Sequence, residues 1–447
     1  MNTTEGLQDK SYNFQLNLVK NKKDIAYPAK ESVGFNNVQQ RINVFTEFGN
    51  LKALIMGYMD DTAQLPADPL LIEMCPNSVS QPYPEKLYKR AQEIQNQISQ
   101  TLMDMGIHVI RPGKIDHSKK YVIEGEETTS FQTFSSRDML FYYHDSVFEC
   151  PSAAFCRQYE YEAYNWITDQ HRKLGDKVYS SWVSKPNPQI PLFDAAQMLR
   201  LGLDILFLIS IGGNEEGYKN FKKFMNEKYN GKVRVHPLPN LYYGLHIDST
   251  LVALGYNKNI KKFVLLANGE RTHPGNIPVI FRGKNWVVLE SNDMFDNGFE
   301  PGFELSTKWI GQNFMVINPE LVMIEQNQTS LIKMLEFYGV KSLKVPNEIG
   351  RSCAGGIHCM TNDYCREEEI DFEKILTSPE SSKEELAGYF DPELLEYLQN
   401  NGEIEKWEEI ANKNGIFPTY LVDHLTEEEK ADMKARHQTK LENFLKN

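Results

Sequence analysis

One short pattern recurs along this chain and restricts what it can fold into. A helix-like stretch ends in glycine and runs directly into a β-rich segment. It appears as MDMG-IHVIRP at Gly106, RKLG-DKVYSSW at Gly175, KYNG-KVRVHPL at Gly231 and EFYG-VKSLKVP at Gly339. The residue just past a helix C-terminus often turns left-handed, where glycine alone escapes a steric penalty. The four glycines follow one another at 69, 56 and 108 residues, and the last interval is close to two steps of the others. A further unit is therefore expected between Gly231 and Gly339. The run NIPVIFRGKNWVVLE, residues 276–290, is expected to end it.

The parts of each unit can be read individually. Tyr218, Phe221, Phe224 and Met225 recur at three- and four-residue steps, as do Leu331, Met334, Leu335 and Tyr338, so each set forms one apolar helix face. Two strand-like runs, residues 314–317 and 321–324, flank the turn pair Asn318-Pro319. A unit thus reads strand, strand, helix, strand, and the fold class is α/β. From Arg366 the composition turns polar and helix-prone, opening with Glu367, Glu368 and Glu369. Thr426 and Glu429 stand at capping-box spacing before a charged helix. We divide the chain into an N-terminal arm (1–40), a catalytic body (41–365) and a helical C-terminal extension (366–447).

The overall charge excludes several functions. The net charge of −13 over 447 residues does not suit a chain that displaces counterions from nucleic acid. No apolar run approaches the roughly 18–20 residues that span a bilayer. The first thirty residues have neither the apolar core of a secretory signal nor an arginine-rich, acid-poor transit composition, so a cytoplasmic protein is expected. The six cysteines include no Cys-x-x-Cys pair. Neither a disulfide framework nor a structural zinc site is expected.

Four segments hold residues suited to catalysis. In SCAGGIHCMT two glycines let the backbone bend and present His358 and Cys359 side by side. A cysteine on such a turn can be a nucleophile, although a buried thiol would look the same. In YGLHIDST, His246 and Asp248 are two residues apart and would share one face of a strand. Arg137 and Asp138 open the apolar strand of FSSRDMLFYY, and Asp194 precedes the apolar run of FDAAQMLRLGLDILF. Taken singly, each fits a helix cap or a surface ion pair.

Their order along the chain is more specific. Arg-Asp, Phe-Asp-Ala-Ala, His-Ile-Asp-Ser-Thr and Gly-Gly-Ile-His-Cys-Met-Thr together resemble the motif series of the glycine amidinotransferase family, part of the guanidine-modifying superfamily. The likeness runs from about Phe45 to about Arg366 and includes the connecting pieces ECPSAAFCRQYEYEAY and ELSTKWIGQNFMVI. It implies a pseudo-five-fold α/β propeller of ββαβ units around a central pocket, with a homodimer as the assembly. Cys359 would be the nucleophile, His246 the acid and base, and Asp194 the carboxylate behind it. Asp138 and Asp248 would grip a guanidinium, and Arg271 would pair with the donor's α-carboxylate. Ser306 and Thr307 match a Ser-Ser pair at the pocket rim. His358 would be structural, and neither a cofactor nor a metal is implied.

The implied reaction moves the amidino group of L-arginine onto an amine, leaving ornithine. The alternative within the superfamily is a deiminase-like hydrolase, in which water resolves the adduct. Several positions depart from the family pattern. Ala354 replaces the first of three glycines, at an end of the turn not expected to need one. Gln197 replaces a second Asp. Tyr243 and Leu245 replace Asn and Met in the loop that shapes the acceptor end, which leaves open which amine, glycine or another, receives the group. An insertion near residues 257–262 blurs the register leading to Arg271.

Overall fold

Gly106, Gly175, Gly231 and Gly339 all take positive φ, from 76° to 91°, in the computed structural model, which describes residues 17–18, 25–78, 80–123, 126–180, 191–239, 241–242, 244–272 and 277–401. Each glycine closes a helix and releases the chain into a strand. The helix α1 (Glu85–Asp104) runs into β2 (His108–Ile110) in this way. Leu87, Ala91, Ile94, Ile98 and Leu102, spaced at three and four residues, are the buried face of α1.

Five small sheets repeat one pattern, in which a middle strand pairs antiparallel with the strand before it and parallel with the strand after the crossover. The second holds β3 (Leu140–Tyr143), β4 (Ser146–Glu149), α2 (Tyr161–Lys173) and β5 (Lys177–Ser180). The third holds β6 (Met198–Arg200), β7 (Asp204–Leu208), α3 (Glu215–Lys228) and β8 (Arg234–Leu238). The fourth holds β9 (Leu251–Asn257), β10 (Lys262–Asn268) and β11 (Trp286–Ser291). The fifth holds β12 (Met315–Asn318), β13 (Leu321–Glu325), α4 (Thr329–Phe337) and β14 (Lys341–Val345).

Two units depart from the expected strand–strand–helix–strand order. In the fourth, the crossover carries a 3-10 turn at Val279–Arg282, and no α-helix is found there among the described residues. This explains why no helix–glycine signal marked it. In the first, β1 (Asn50–Met56) is the middle strand, parallel to β2, and its antiparallel neighbour comes from the far end of the body. That neighbour is β15 (Thr361–Glu367), entered from the one-turn helix α5 (Ile357–Met360).

The chain beyond β15 folds back onto the fourth sheet. The helices α6 (Phe372–Thr377), α7 (Lys383–Ala387) and α8 (Pro392–Asn401) follow, and α7 starts on the capping box of Ser382 and Glu385. Phe390 stacks on Trp286 with ring centroids 5.4 Å apart, and Trp286 Nε1 donates to the Tyr389 carbonyl at 3.1 Å. Burying aromatic groups of this size stabilises by roughly 1.5–3 kcal/mol each, which attaches these helices to the body. The Thr426–Glu429 pattern lies outside the described residues. Among the described residues no helix is long and apolar enough to cross a membrane.

Beneath the sheets lies a dry lattice of charges. Arg200 grips Glu47 through Nε (2.7 Å) and Nη2 (2.9 Å), and its Nη2 also donates to Asp363 Oδ2 at 2.8 Å. Arg366 Nε donates to the same Asp363 oxygen at 2.6 Å, and Arg137 Nη2 donates to Asp363 Oδ1. All five side chains are buried. Burial works against the Asp363 and Glu47 carboxylates, yet the surrounding guanidinium groups hold both well below the usual carboxylate range.

Candidate active site

Cys359 lies in α5, where a single helical turn interrupts the path between β14 and β15. Its position depends on close backbone approach. A Cβ on Gly355 would sit 2.7 Å from Ser135 Oγ and 3.1 Å from Cys359 Cβ, and one on Gly356 would sit 2.5 Å from the Asn313 side chain. Both glycines are therefore required by packing and not by φ. The left-handed residue of this turn is Ala354, with φ 58°. The expectation that this end of the turn need not favour glycine is corrected: Ala354 holds a conformation costing an L-residue about 1–2 kcal/mol. Asn313 Oδ1 accepts from the Cys359 backbone N–H at 2.9 Å and fixes the turn from the side.

A cavity of about 590 Å³ opens beside Cys359. Asp138, Asp194, Leu245, His246, Asp248, Arg271, Ser306 and Thr307 all line it, so the structure brings together every expected site residue except Tyr243, which lies outside the described residues. Residues 258–261 form the turn between β9 and β10, and none of them lines the cavity.

Two sequence-level placements need correction. His246 and Asp248 do not lie on a strand; they sit in bends and turns leading into β9, and the turn aims both into the cavity. Asp138 ends a 3-10 turn, Ser136–Asp138, so that it and Arg137 diverge. Arg137 enters the charge lattice, while Asp138 faces the cavity. Gln197 turns away from the site and donates to Ser210 Oγ at 3.1 Å.

The three cavity carboxylates share one arrangement. Asp138 Oδ2 accepts from Arg157 Nη1 at 2.5 Å, Asp194 Oδ2 pairs with His246 Nε2 at 3.0 Å, and Asp248 Oδ2 pairs with His358 Nδ1 at 2.8 Å. The other oxygen of each is buried; that of Asp138 lies 3.7 Å from His246 Nδ1, and Asn313 supports the Asp248 carboxylate. Burying carboxylates is costly unless they are fully paired, so the cavity favours an N–H donor or a cation. The Cys359 thiol donates to Asp248 Oδ2 at 3.4 Å.

Ionisation follows from this crowding. Burial alone would lower His246, but Asp138 and Asp194 override it and raise it to about 9, so the ring is cationic at neutral pH. Burial pushes Asp138 up, against the pull of His246 and Arg157. Burial also works to raise Asp248, yet the His358 hydrogen bond and the His358 and His246 charges hold it at about 2. Burial, with Asp248 and Asp138 alongside, keeps the Cys359 thiol well above the ordinary thiol range, hence protonated.

Asp138, His246 and Cys359 each offer one ligand atom, all within 4.8 Å of one another. Metal ligation requires neutral imidazole and thiolate. The site favours the opposite form of both, so this trio is better matched to a cationic organic ligand.

Arg271, expected from the sequence, is joined by lining groups that were not singled out there. Arg271 Nη1 donates to Ser249 Oγ at 2.7 Å, and its guanidinium lies 3.9 Å from the Tyr242 ring centroid and 5.0 Å from that of Trp309. No carboxylate pairs with it among the described residues. Tyr242 also donates to the His246 carbonyl, bracing that loop. The short helix Pro69–Met74, capped by Asp68, contributes Leu71 and Met74, and Cys75 follows; with Phe131 and Leu305 they form an apolar wall. Arg157 and Asn313 fall inside two connecting pieces quoted above, but nothing local marks what they touch.

A protonated thiol, a cationic histidine and three carboxylates thus line one cavity. In sequence the chain is similar to inosamine-phosphate amidinotransferase 1 of Streptomyces glaucescens, 32% identical over 304 residues covering 64% of this chain and 83% of that protein. It is similar to the L-arginine:L-lysine amidinotransferase of Pseudomonas savastanoi pv. phaseolicola, 26% identical over 363 residues covering 73% of this chain and 95% of that protein. In structure it is similar to the inosamine-phosphate amidinotransferase of Streptomyces griseus, with a TM-score of 0.65 and 28% identity over 74% of this chain and 99% of that one. No family model matches the chain. The chain belongs to the amidinotransferase family.

Proposed function

We propose that the enzyme transfers the amidino group of L-arginine to an acceptor amine through a covalent intermediate on Cys359. The observation that carries this reading is the convergence of Asp138, Asp194, Asp248 and His246 on one cavity beside the Cys359 thiol. A guanidinium presents N–H groups in a planar fork, and the Asp138 and Asp248 carboxylates are the acceptors for it. Arg271 is the cation left for the donor's α-carboxylate.

Docking the cation favours the thiolate, so Cys359 releases its proton to solvent as arginine arrives, His246 being already protonated. Sulfur then attacks the guanidinium carbon. The tetrahedral adduct collapses by breaking the bond to the ornithine nitrogen, which takes a proton from cationic His246. Ornithine leaves, and the amidino group stays on sulfur. An acceptor amine enters, the now neutral His246 takes its proton, and the thiolate departs as the new guanidino compound forms. Asp194 stabilises the charged ring throughout. Two half-reactions in one cavity give ping-pong kinetics.

The acceptor in this proposal is larger than glycine. The cavity volume and the wall formed by Leu71, Met74, Phe131 and Leu305 support an amine with a carbon skeleton to bury. The same reading takes the five sheets as blades of a pseudo-five-fold propeller, residues 41–365 as the catalytic body, 1–40 as an arm and 366–447 as an extension. A cytoplasmic homodimer completes it, inherited from the family likeness.

Exchange of labelled ornithine into arginine, measured without acceptor, tests the covalent step. Steady citrulline from arginine alone would replace transfer with hydrolysis. An amine panel tests the acceptor, and efficient turnover with glycine alone would overturn the larger one.

A further inference from the structure

We infer that His358 is a positioning residue for the transfer reaction: it ties Asp248 to the buried charge lattice so that the carboxylate stays ionised and aimed at the substrate. The inference rests on Asp248 acting as a guanidinium acceptor. It departs from the expectation that the residue before the nucleophile is merely structural.

His358 stands between two carboxylates on opposite sides. Its Nδ1 lies 2.8 Å from Asp248 Oδ2, and its Nε2 lies 3.4 Å from Glu47 Oε2. Asp248 is an acceptor only, so Nδ1 carries the hydrogen. Glu47 is itself clamped by Arg200 and cannot shift toward the cavity. The backbone of the same residue is held too: Arg137 Nε donates to the His358 carbonyl at 3.1 Å and to the Thr361 carbonyl at 2.9 Å. The lattice therefore grips the nucleophile's turn twice, once through carbonyls and once through the imidazole. The bond to Nδ1 fixes Oδ2, and with it the orientation of the carboxylate beside the Cys359 thiol.

Without that bond, Asp248 would be a buried carboxylate deprived of the hydrogen bond that does most to favour its charged form. The groups around it are His246 and Cys359, Asp138 from the turn before β3, and Arg271 and Tyr242 across the cavity. Burial and Asp138 push Asp248 toward its neutral form, which no longer holds a guanidinium well.

The test uses arginine binding by calorimetry in a Cys359→Ser background, where turnover does not interfere, at pH 7 and pH 5. Asparagine places its amide nitrogen near the Nδ1 position, whereas glutamine places it near Nε2, toward Glu47. For His358→Leu and His358→Gln, the loss of affinity relative to the His358 parent should grow about tenfold between pH 7 and pH 5. His358→Asn should keep the parent's pH dependence. Taking the ratio to the parent cancels the contribution of Asp138, which titrates in every variant. Thermal unfolding establishes that the variants compared are folded. A pH-independent ratio for both His358→Leu and His358→Gln would overturn the inference, as would His358→Asn behaving like His358→Leu. Absence of ornithine exchange in the unmodified enzyme would defeat the transfer reading separately, because the binding comparison needs no turnover.

Discussion

Two sets of buried acids lie on either side of His358 and differ in how they are completed. In the lattice, both oxygens of Glu47 and of Asp363 are occupied by the guanidinium groups of Arg137, Arg200 and Arg366. In the cavity, Asp138, Asp194 and Asp248 each rest on a single close arginine or histidine contact, at Oδ2. Burial is comparable, and so are the residue types. The difference is that guanidinium groups of the protein close the lattice, whereas the proposed function has a substrate cation complete the cavity set. A closed set contributes to the fold, and an open set costs stability until a ligand completes it.

The sharpest separation of the two comes from Cys359→Ala. Ornithine–arginine exchange should fall by about 10⁴-fold or more, since no other group can hold the amidino fragment. Arginine binding by calorimetry should persist, because the cavity carboxylates remain. The lattice should behave in the opposite way. Asp363→Asn leaves buried arginines short of a counter-charge, and chemical denaturation should register a loss of about 3–5 kcal/mol. A loss under 1 kcal/mol would show that the lattice is not a closed structural unit.

Asp138→Asn tests the open set directly. It keeps the shape but removes charge, and kcat/KM for arginine should fall by about 10²–10³-fold. The pH profile refines this prediction. His246 is held near 9, above its unfolded value, so its stabilising contribution is complete at acidic pH and is lost as pH rises through about 9. The acid needed for ornithine departure disappears over the same range, giving kcat/KM an alkaline limb near 9. Asp138→Asn removes the negative charge that does most to keep His246 protonated, so that limb should move to lower pH. A limb that stays in place would separate His246 from Asp138.

The smallest effect expected is at Ala354. Glycine there relieves the left-handed strain but loosens the unfolded chain, so Ala354→Gly should stabilise by about 1 kcal/mol or less, read as a small rise in Tm.

The repeat was legible because Gly106, Gly175, Gly231 and Gly339 sit where sterics demand glycine, a local requirement visible in sequence. The pairing of β1 with β15 was not, because its partners, such as Met56 and Thr361, are joined only by the completed fold. The same division holds in the site. Cys359, His246 and Asp248 stood out by type and spacing. Arg157, Asn313 and Tyr242 did not, because their importance lies in what they touch: Asn313 meets the Cys359 amide across 46 residues of chain. His358 was read as structural because its bond to Asp248 spans 110 residues. Arg137 sat beside Asp138 in sequence, and only the 3-10 turn shows that the two serve different regions.

The strand pairing that joins the two ends of the body also governs when the enzyme becomes reactive. The nucleophile's turn immediately precedes β15, the last strand to leave the ribosome among the five sheets, and β15 must find β1 about 300 residues back. Contacts this distant in sequence form late and slowly. A chain that stops before the nucleophile's turn therefore lacks both Cys359 and the strand that completes the first sheet.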